Sequence, residues 1–150
     1  MIVDTSALVA IIRLEPDGQA YERLIASAHA VRLSAASLLE LSVVIDGFRD
    51  PAMSGALDAI LATSGVVIAP FTAQQAAIAR DAYRRFGKRS GHPARLNMGD
   101  CFAYALARDL GEPLLFKGGD FALTDIEIVA TPLGQRRLSE VVAAYGSDTA

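Results

Sequence analysis

Four acidic residues stand where a parallel α/β sheet would gather them. Asp4 directly follows the first apolar run of the chain, and Asp120 follows a later apolar run after two glycines. Glu40 lies in the first turns of a helix predicted after a second strand, and Asp100 begins a helix predicted before a fourth strand. The carboxyl ends of parallel strands lie at one edge of a sheet, where such folds place their ligands. We therefore expect the four carboxylates to lie close together.

Carboxylates gathered in this way would need a cation. Like charges at short range repel one another, and one of the groups takes up a proton unless a positive ion joins them. Mg²⁺ is a usual partner, held by one or two carboxylates together with waters and phosphate oxygens of a substrate. The pattern therefore favours phosphodiester hydrolysis, in which a metal activates water and stabilises the developing charge.

Each acid also has a purely structural interpretation. Asp100 could cap its own helix, and Glu40 could be the capping-box partner of Ser37. Asp120 could be a turn residue, because it follows a Gly-Gly pair. Asp4 fits such an interpretation less well, because it ends an apolar strand, although it could still cap the helix that follows.

The chain alternates strand-like and helix-like segments, which predicts a three-layer α/β/α fold with a mostly parallel sheet of four to five strands. We expect one domain over residues 1–150, with a C-terminal helix or tail over about 132–150. The predicted strands cover residues 1–3, 31–34, 66–71, 113–116 and 126–130. The predicted helices cover residues 7–13, 19–28, 37–45, 52–63, 72–86 and 100–109.

Composition limits the other classes of protein. The 150 residues suffice for a real core, and 52% of them are hydrophobic. No apolar run reaches the ~18 residues of a membrane span, and no basic segment precedes the apolar start, so we expect a cytoplasmic protein away from membranes. A single cysteine, Cys101, excludes an internal disulfide and any zinc cluster of several cysteines. The net charge of −3 means that a polyanionic substrate would need local cations.

Several segments occur in an order and spacing that resemble a known family. They are residues 2–8 (IVDTSAL), 34–41 (SAASLLEL), 96–106 (LNMGDCFAYAL) and 113–121 (PLLFKGGDF), followed by Thr124-Asp125. Together they resemble the PIN-domain ribonucleases of the VapC toxin type, from bacterial VapBC toxin–antitoxin pairs. The resemblance spans nearly the whole chain.

The resemblance implies a PIN-like fold and a metal-dependent endoribonuclease, the toxin of a type II toxin–antitoxin system. It also implies Mg²⁺ or Mn²⁺ as cofactor, a homodimer, an RNA substrate and a cognate VapB-type antitoxin.

By position, three residues match the acids that the family uses. These are Asp4, Glu40 and Asp100, of which Asp4 and Asp100 are expected to ligate the metal. Asp120 matches a fourth acidic position that varies more, and Gly119 stands where close relatives often carry another aspartate. Ser6, or its neighbour Thr5, resembles the polar residue that orients the first aspartate or its water.

Basic residues concentrate before the helix that carries Asp100. Their functional interpretation is contact with RNA phosphates, and the alternative is a solvated helix end whose cations suit the helix dipole. Lys117, beside the acids, could offset their charge, contact phosphate or simply be solvated. The cluster consists of Arg84, Arg85, Lys88, Arg89, His92 and Arg95.

Two other functions remain open on the sequence. An aspartyl-nucleophile phosphatase, such as a haloacid-dehalogenase-like enzyme, also has an aspartate after its first strand, but it needs a second one two residues later, where this chain has Ser6. A non-catalytic PIN scaffold or a receiver-like domain would only bind a partner. A receiver needs a phospho-accepting aspartate after a middle strand, where this chain has Thr72.

Overall fold

A sheet of four short parallel strands forms the centre of the protein. A computed structural model describes residues 1–131. Within them the strand order is β3-β2-β1-β4, and the register pairs Ile2 of the central strand with Arg32 on one side and Leu114 on the other. Because all strands run the same way, the residues that follow β1, β2 and β4 meet at one edge. The strands are β1 (Ile2–Val3), β2 (Arg32–Ser34), β3 (Val67–Ala69) and β4 (Leu114–Leu115).

Helices cover both faces of the sheet. Alternate side chains of β1 point to opposite faces, so Ile2 packs with α5 and α6, whereas Val3 packs with helices α1 to α4. The prediction of a three-layer α/β/α fold is therefore confirmed. The helices are α1 (Thr5–Ile12), α2 (Gly18–Ser27), α3 (Ala35–Gly47), α4 (Pro51–Thr63), α5 (Ala73–Phe86) and α6 (Met98–Leu110), with a 3-10 turn over Phe121–Leu123.

Local sequence fixes where most of these helices begin. Asp4, Asp50, Thr72 and Asn97 each hold an extended backbone and accept a hydrogen bond from an N–H group in the first turn of the following helix. Such capping satisfies N–H donors that the helix itself leaves unpaired. Since Asp4 directly follows β1, the same residue ends the central strand and starts the first helix.

Two details differ from the sequence-based predictions. The capping box of Ser37 with Glu40 was wrong, because β2 passes directly into α3 and Ser34 takes the N-cap position, which places Ser37 inside the helix. The predicted fifth strand makes only one parallel bridge, from Ile128 to Leu114, so the described sheet has four strands. The predicted C-terminal helix or tail over about 132–150 lies outside the described residues.

No helix among residues 1–131 combines the length and the apolar character needed to cross a bilayer.

The packing of α1 against α2 depends on a missing side chain. A Cβ atom placed on Gly18, the first residue of α2, would lie 2.6 Å from the backbone oxygen of Ala10. By contrast, a Cβ atom on Gly55, on the exposed side of α4, would meet no atom within 4 Å. The two glycines should therefore respond to alanine with opposite signs.

We expect Gly18→Ala to destabilise the protein by roughly 1–3 kcal/mol, because the clash forces α1 and α2 apart. Gly55→Ala is the matched control and should stabilise it by roughly 0.5–1 kcal/mol, because alanine favours a helix interior. Urea denaturation of both variants measures the two free energies of unfolding. Equal changes in the two variants would contradict the packing described for α1 and α2.

Candidate active site

Asp4 is buried at the carboxyl edge of the sheet, with 3% of its surface exposed. Its carboxylate accepts hydrogen bonds from the Ser6 hydroxyl (2.5 Å) and the Ser6 backbone N–H (3.0 Å). The Ser6 hydroxyl oxygen in turn accepts the backbone N–H of Lys117 (2.9 Å), which follows β4. Burial raises the pKa of Asp4, the bonds from Ser6 oppose that shift, and the charge of Glu40 adds to it. Ser6 therefore orients this carboxylate and ties the ends of β1 and β4 together.

Glu40 reaches the same edge from α3 and lies against the start of α6. A Cβ atom on Gly99 would lie 2.2 and 2.3 Å from the two carboxylate oxygens of Glu40, so only glycine leaves room for them. Burial and the charge of Asp100 raise the pKa of Glu40. Its Oε2 atom is buried and has no hydrogen-bond partner within residues 1–131. An unpaired buried carboxylate oxygen is costly unless a ligand joins it.

Asp100 occupies the third position of α6 in a complete capping box. Its carboxylate accepts the Asn97 backbone N–H, and the Asn97 side chain accepts the Asp100 N–H, both at 2.8 Å. Burial raises the pKa of Asp100 to about 6; the bond from Asn97 and the charge of Lys88 act against this shift, and the charges of Asp4 and Asp120 reinforce it. Asn97, rather than Asp100, is thus the N-cap residue of α6. The negative charges of Asp4 and Asp120 act on the Asp100 carboxylate.

Asp120 is exposed and precedes the 3-10 turn, and its carboxylate accepts no hydrogen bond from the N–H groups of that turn. The turn is anchored at its far end, where the Asp125 carboxylate accepts the Tyr104 hydroxyl (2.5 Å) and an Arg85 N–H (2.8 Å). Burial, and then the bond to Asp125, raises the pKa of Tyr104 to about 12. Since Tyr104 lies one turn after Asp100 on α6, this contact sets where the Asp120 segment lies relative to Asp100.

Two serines at this edge were not anticipated as site residues. Ser34 ends β2 two residues after Arg32, which places it level with Asp4 in the register. The hydroxyl oxygens of Ser34 and of Ser37, on α3, are buried without a hydrogen-bond partner among the described residues. Their position in the segment 34–41 was visible in the sequence, but the capping-box interpretation of Ser37 concealed it. Buried unpaired hydroxyls mark a place where water or another polar ligand would be held.

The donor atoms fit a hard divalent cation better than a softer metal. They are carboxylate oxygens whose pKa values are raised by burial and by one another, and one of them lacks any partner. Within residues 1–131, no set of three or more His, Cys, Asp or Glu side chains converges closely enough to surround an ion. Mg²⁺ in proteins is commonly held by one or two carboxylates, with waters or phosphate oxygens as its other ligands.

The residues of the predicted basic cluster have different surroundings in the structure, and so does Lys117. Arg85 is occupied by Asp125 and, at 3.5 Å, by Asp81, and His92 packs edge-on against Phe86 at 4.9 Å. Lys88 is exposed, and its charge acts on Asp100. The Lys117 ammonium pairs instead with Glu15 and with Asp17, the latter at 2.8 Å, in the turn between α1 and α2. Lys88 is thus a cation electrostatically linked to the acids, whereas the Lys117 side chain serves the neighbouring turn.

The sequence matches the model of a known protein family over most of its length. The sequence model of the PIN domain matches residues 1–127. The chain therefore belongs to the PIN domain family.

Within that family, its similar relatives are VapC ribonucleases. Ribonuclease VapC28 of Mycobacterium tuberculosis is 54% identical over 127 residues, which cover 85% of this chain and 96% of the relative. Ribonuclease VapC30 of the same species is 47% identical over 133 residues, which cover 88% of this chain and 100% of the relative. Among solved structures, M. tuberculosis VapC20, described as a toxin that cleaves the sarcin-ricin loop, superposes with a TM-score of 0.70 at 22% identity, covering 87% of this chain and 98% of that one.

We expect the stability of the metal-free protein to fall as the pH rises from about 4 to about 7. Asp100 has a raised pKa in the folded protein, so its contribution is fully present below its ordinary value near 3.8 and is lost as the pH rises through about 6. Asp100→Asn should reduce this decline, because the amide carries no proton to lose and can still accept the Asn97 N–H.

Thermal unfolding in the presence of a chelator, at half-unit pH intervals, measures the difference between the two proteins. Asp58→Asn, on the exposed side of α4, is a control and should keep the wild-type profile. Identical profiles for wild type and Asp100→Asn would show that Asp100 is not held in the buried, like-charged environment described above.

Proposed function

We propose that this protein is a divalent-metal-dependent endoribonuclease, the toxin of a type II toxin–antitoxin pair. The observation that carries the proposal is the group of three acids with mutually raised pKa values, Asp4, Glu40 and Asp100, at the carboxyl edge of a PIN fold. The similarity to VapC ribonucleases over 85–88% of the chain supports the same activity.

We assign the metal to Asp4 and Asp100, with Glu40 and Asp120 completing the acidic site. Mg²⁺ or Mn²⁺, when bound, supplies charge stabilisation for the attacked phosphate and acidifies a water molecule. The Ser6 hydroxyl and backbone N–H hold the Asp4 carboxylate in one orientation. Glu40, whose Oε2 lacks a partner, can accept a proton from the attacking water or a hydrogen bond from a water in the site.

The acids also explain why hydrolysis requires the cation. Without it, negative carboxylates would face a negative phosphodiester, and the raised pKa of Asp100 shows that this edge already disfavours further negative charge. The other catalytic candidate, an aspartyl-nucleophile phosphatase, is disfavoured because the Ser6 side chain, where it would need a second aspartate, is bonded to Asp4 and to Lys117.

We further propose a cognate VapB-type antitoxin as the protein partner. A groove of about 890 Å³ lies between α1, α2 and α4, with an apolar floor that includes Ile12, Met53 and Ile60. Glu15, Glu22 and Asp50 also line this groove, so it suits an apolar segment that carries basic residues. From membership of the family, we also propose a homodimer, a single domain over residues 1–150 and a cytoplasmic location.

Asp4→Asn should lower the rate of RNA cleavage by ~10³-fold or more, because it removes a charged ligand at the centre of the site. The fold should persist, since asparagine can still accept the Ser6 N–H and relieves the repulsion from Glu40. The measurement is cleavage of cellular RNA with Mg²⁺ or Mn²⁺, with and without a chelator, alongside the melting temperature. The control Asp58→Asn should cleave normally. Undiminished cleavage by Asp4→Asn, or cleavage that survives the chelator, would refute the mechanism.

Expression of the chain in a bacterial host should arrest growth, because cleavage of an essential RNA stops translation. Co-expression of the protein encoded beside it should restore growth, whereas the Asp4→Asn variant should never be toxic. Growth curves after induction, with sequencing of the RNA ends that accumulate, test the toxin and identify its target. Normal growth with abundant folded wild-type protein would favour a non-catalytic PIN scaffold.

A further inference from the structure

Three cations form a row along α5 and the residues just after it. Arg80 and Arg84 are four residues apart and share one exposed face of α5, and Lys88 follows two residues after the helix ends. None of these three makes an ion pair with a carboxylate anywhere in residues 1–131, although Arg85 beside them makes two. Like charges four residues apart disfavour a helix. Within residues 1–131, the row therefore gains no stabilisation from ion pairs.

The helix dipole does not account for the row. A cation in the last turn of a helix is favourable, and that explains Arg84. Arg80 lies earlier, where the dipole effect has faded, and Lys88 lies beyond the helix end. Lys88 is instead held by its own backbone, whose N–H donates to the carbonyl oxygen of Leu96 at 3.0 Å, and its charge reaches Asp100. The row thus runs along α5 and ends at Lys88, whose charge acts on the Asp100 carboxylate.

A pocket of about 410 Å³ opens beside this row, between α5 and α6. Arg80, Tyr83 and Arg84 line it from α5, and Met98, Cys101 and Phe102 line it from α6. Tyr83 is 37% exposed and Met98 is 70% exposed, which is unusual for large apolar side chains next to one another. Met98 and Phe102 stand two residues before and after Asp100, so the pocket lies level with Asp100 along the axis of α6, on a different face of that helix.

We propose that this α5–α6 face binds the single-stranded RNA next to the cleaved bond, with one base in the pocket and neighbouring phosphates along Arg80, Arg84 and Lys88. Aromatic faces with adjoining cations are the usual means of holding single strands, since any base can stack and every nucleotide carries a phosphate. The proposal rests on the ribonuclease function proposed above and adds the surface by which the substrate is held.

RNA binding can be measured apart from cleavage. The probe is a fluorescein-labelled, mixed-sequence RNA 12-mer, with the full chain carrying Asp4→Asn and a chelator present. Adding Arg80→Gln, Arg84→Gln or Lys88→Gln should weaken binding by about five- to tenfold each. Each should also flatten the plot of log affinity against log salt by about 0.7, the contribution of one single-strand phosphate contact. Arg23→Gln, an exposed cation on α2, is the matched control and should change neither quantity.

The pocket is tested by a pair of substitutions at one position. Tyr83→Ala should weaken RNA binding by about tenfold, whereas Tyr83→Phe, which keeps the ring, should bind as the parent does. The melting temperature of Arg80→Gln should stay equal to that of the parent or rise, because the repulsion between Arg80 and Arg84 is lost. This separates a binding defect from a folding defect.

Three results would overturn the proposal. Row variants that bind RNA like Arg23→Gln in the Asp4→Asn background, while the wild-type protein cleaves RNA, would reject this surface and leave the proposed function standing. A wild-type protein that neither binds nor cleaves RNA would reject both. A change of molecular mass in solution for Tyr83→Ala, without a change in RNA affinity, would assign the face to contact between copies of the chain.

Discussion

Burial of carboxylates at one edge of the sheet, reinforced by the charge of neighbouring acids, is the constraint on which the structure depends. Asp4, Glu40 and Asp100 come from a strand end and two helices, and burial raises the pKa of each. Protein hydrogen bonds offset only part of the cost: Ser6 serves Asp4 and Asn97 serves Asp100. A positive ion bound beside these carboxylates, as proposed above, would offset the remaining cost.

The same constraint explains features that would otherwise look incidental. Gly99 has no side chain because the Glu40 carboxylate occupies that space. The Lys117 backbone N–H joins the Ser6 hydroxyl, while its side chain pairs with Glu15 and Asp17 outside the site. The groove between α1, α2 and α4 shares Glu15 with this ion pair, so the proposed partner surface and the acidic edge are connected by one lysine.

Which surface cations have a carboxylate partner depends on contacts in the folded chain rather than on composition. The Asp125 carboxylate accepts hydrogen bonds from an Arg85 N–H and from the Tyr104 hydroxyl. These bonds hold the segment that carries Asp120 against α5 and α6. Arg80, Arg84 and Lys88 are left without a carboxylate partner in residues 1–131, and the charge of Lys88 acts on Asp100. A chain of net charge −3 can thus still carry surface cations that have no carboxylate partner in residues 1–131. Nearby carboxylates such as Asp125 are paired with other cations.

The sequence by itself determined the alternation of strands and helices, the layer architecture and the four acidic candidates, because apolar periodicity and strand-end acids are local signals. It could not determine that Ser34 rather than Ser37 occupies the N-cap position of α3, since this depends on β2 running into the helix without a loop. It grouped Arg84, Arg85 and Lys88 as one cluster, and only the packing of α5 against α6 and Asp125 separated the paired arginine from the unpaired cations. Burial, register and partner choice are set by residues far apart in the chain, so the tertiary structure alone decided which polar groups are satisfied and which remain available to a ligand.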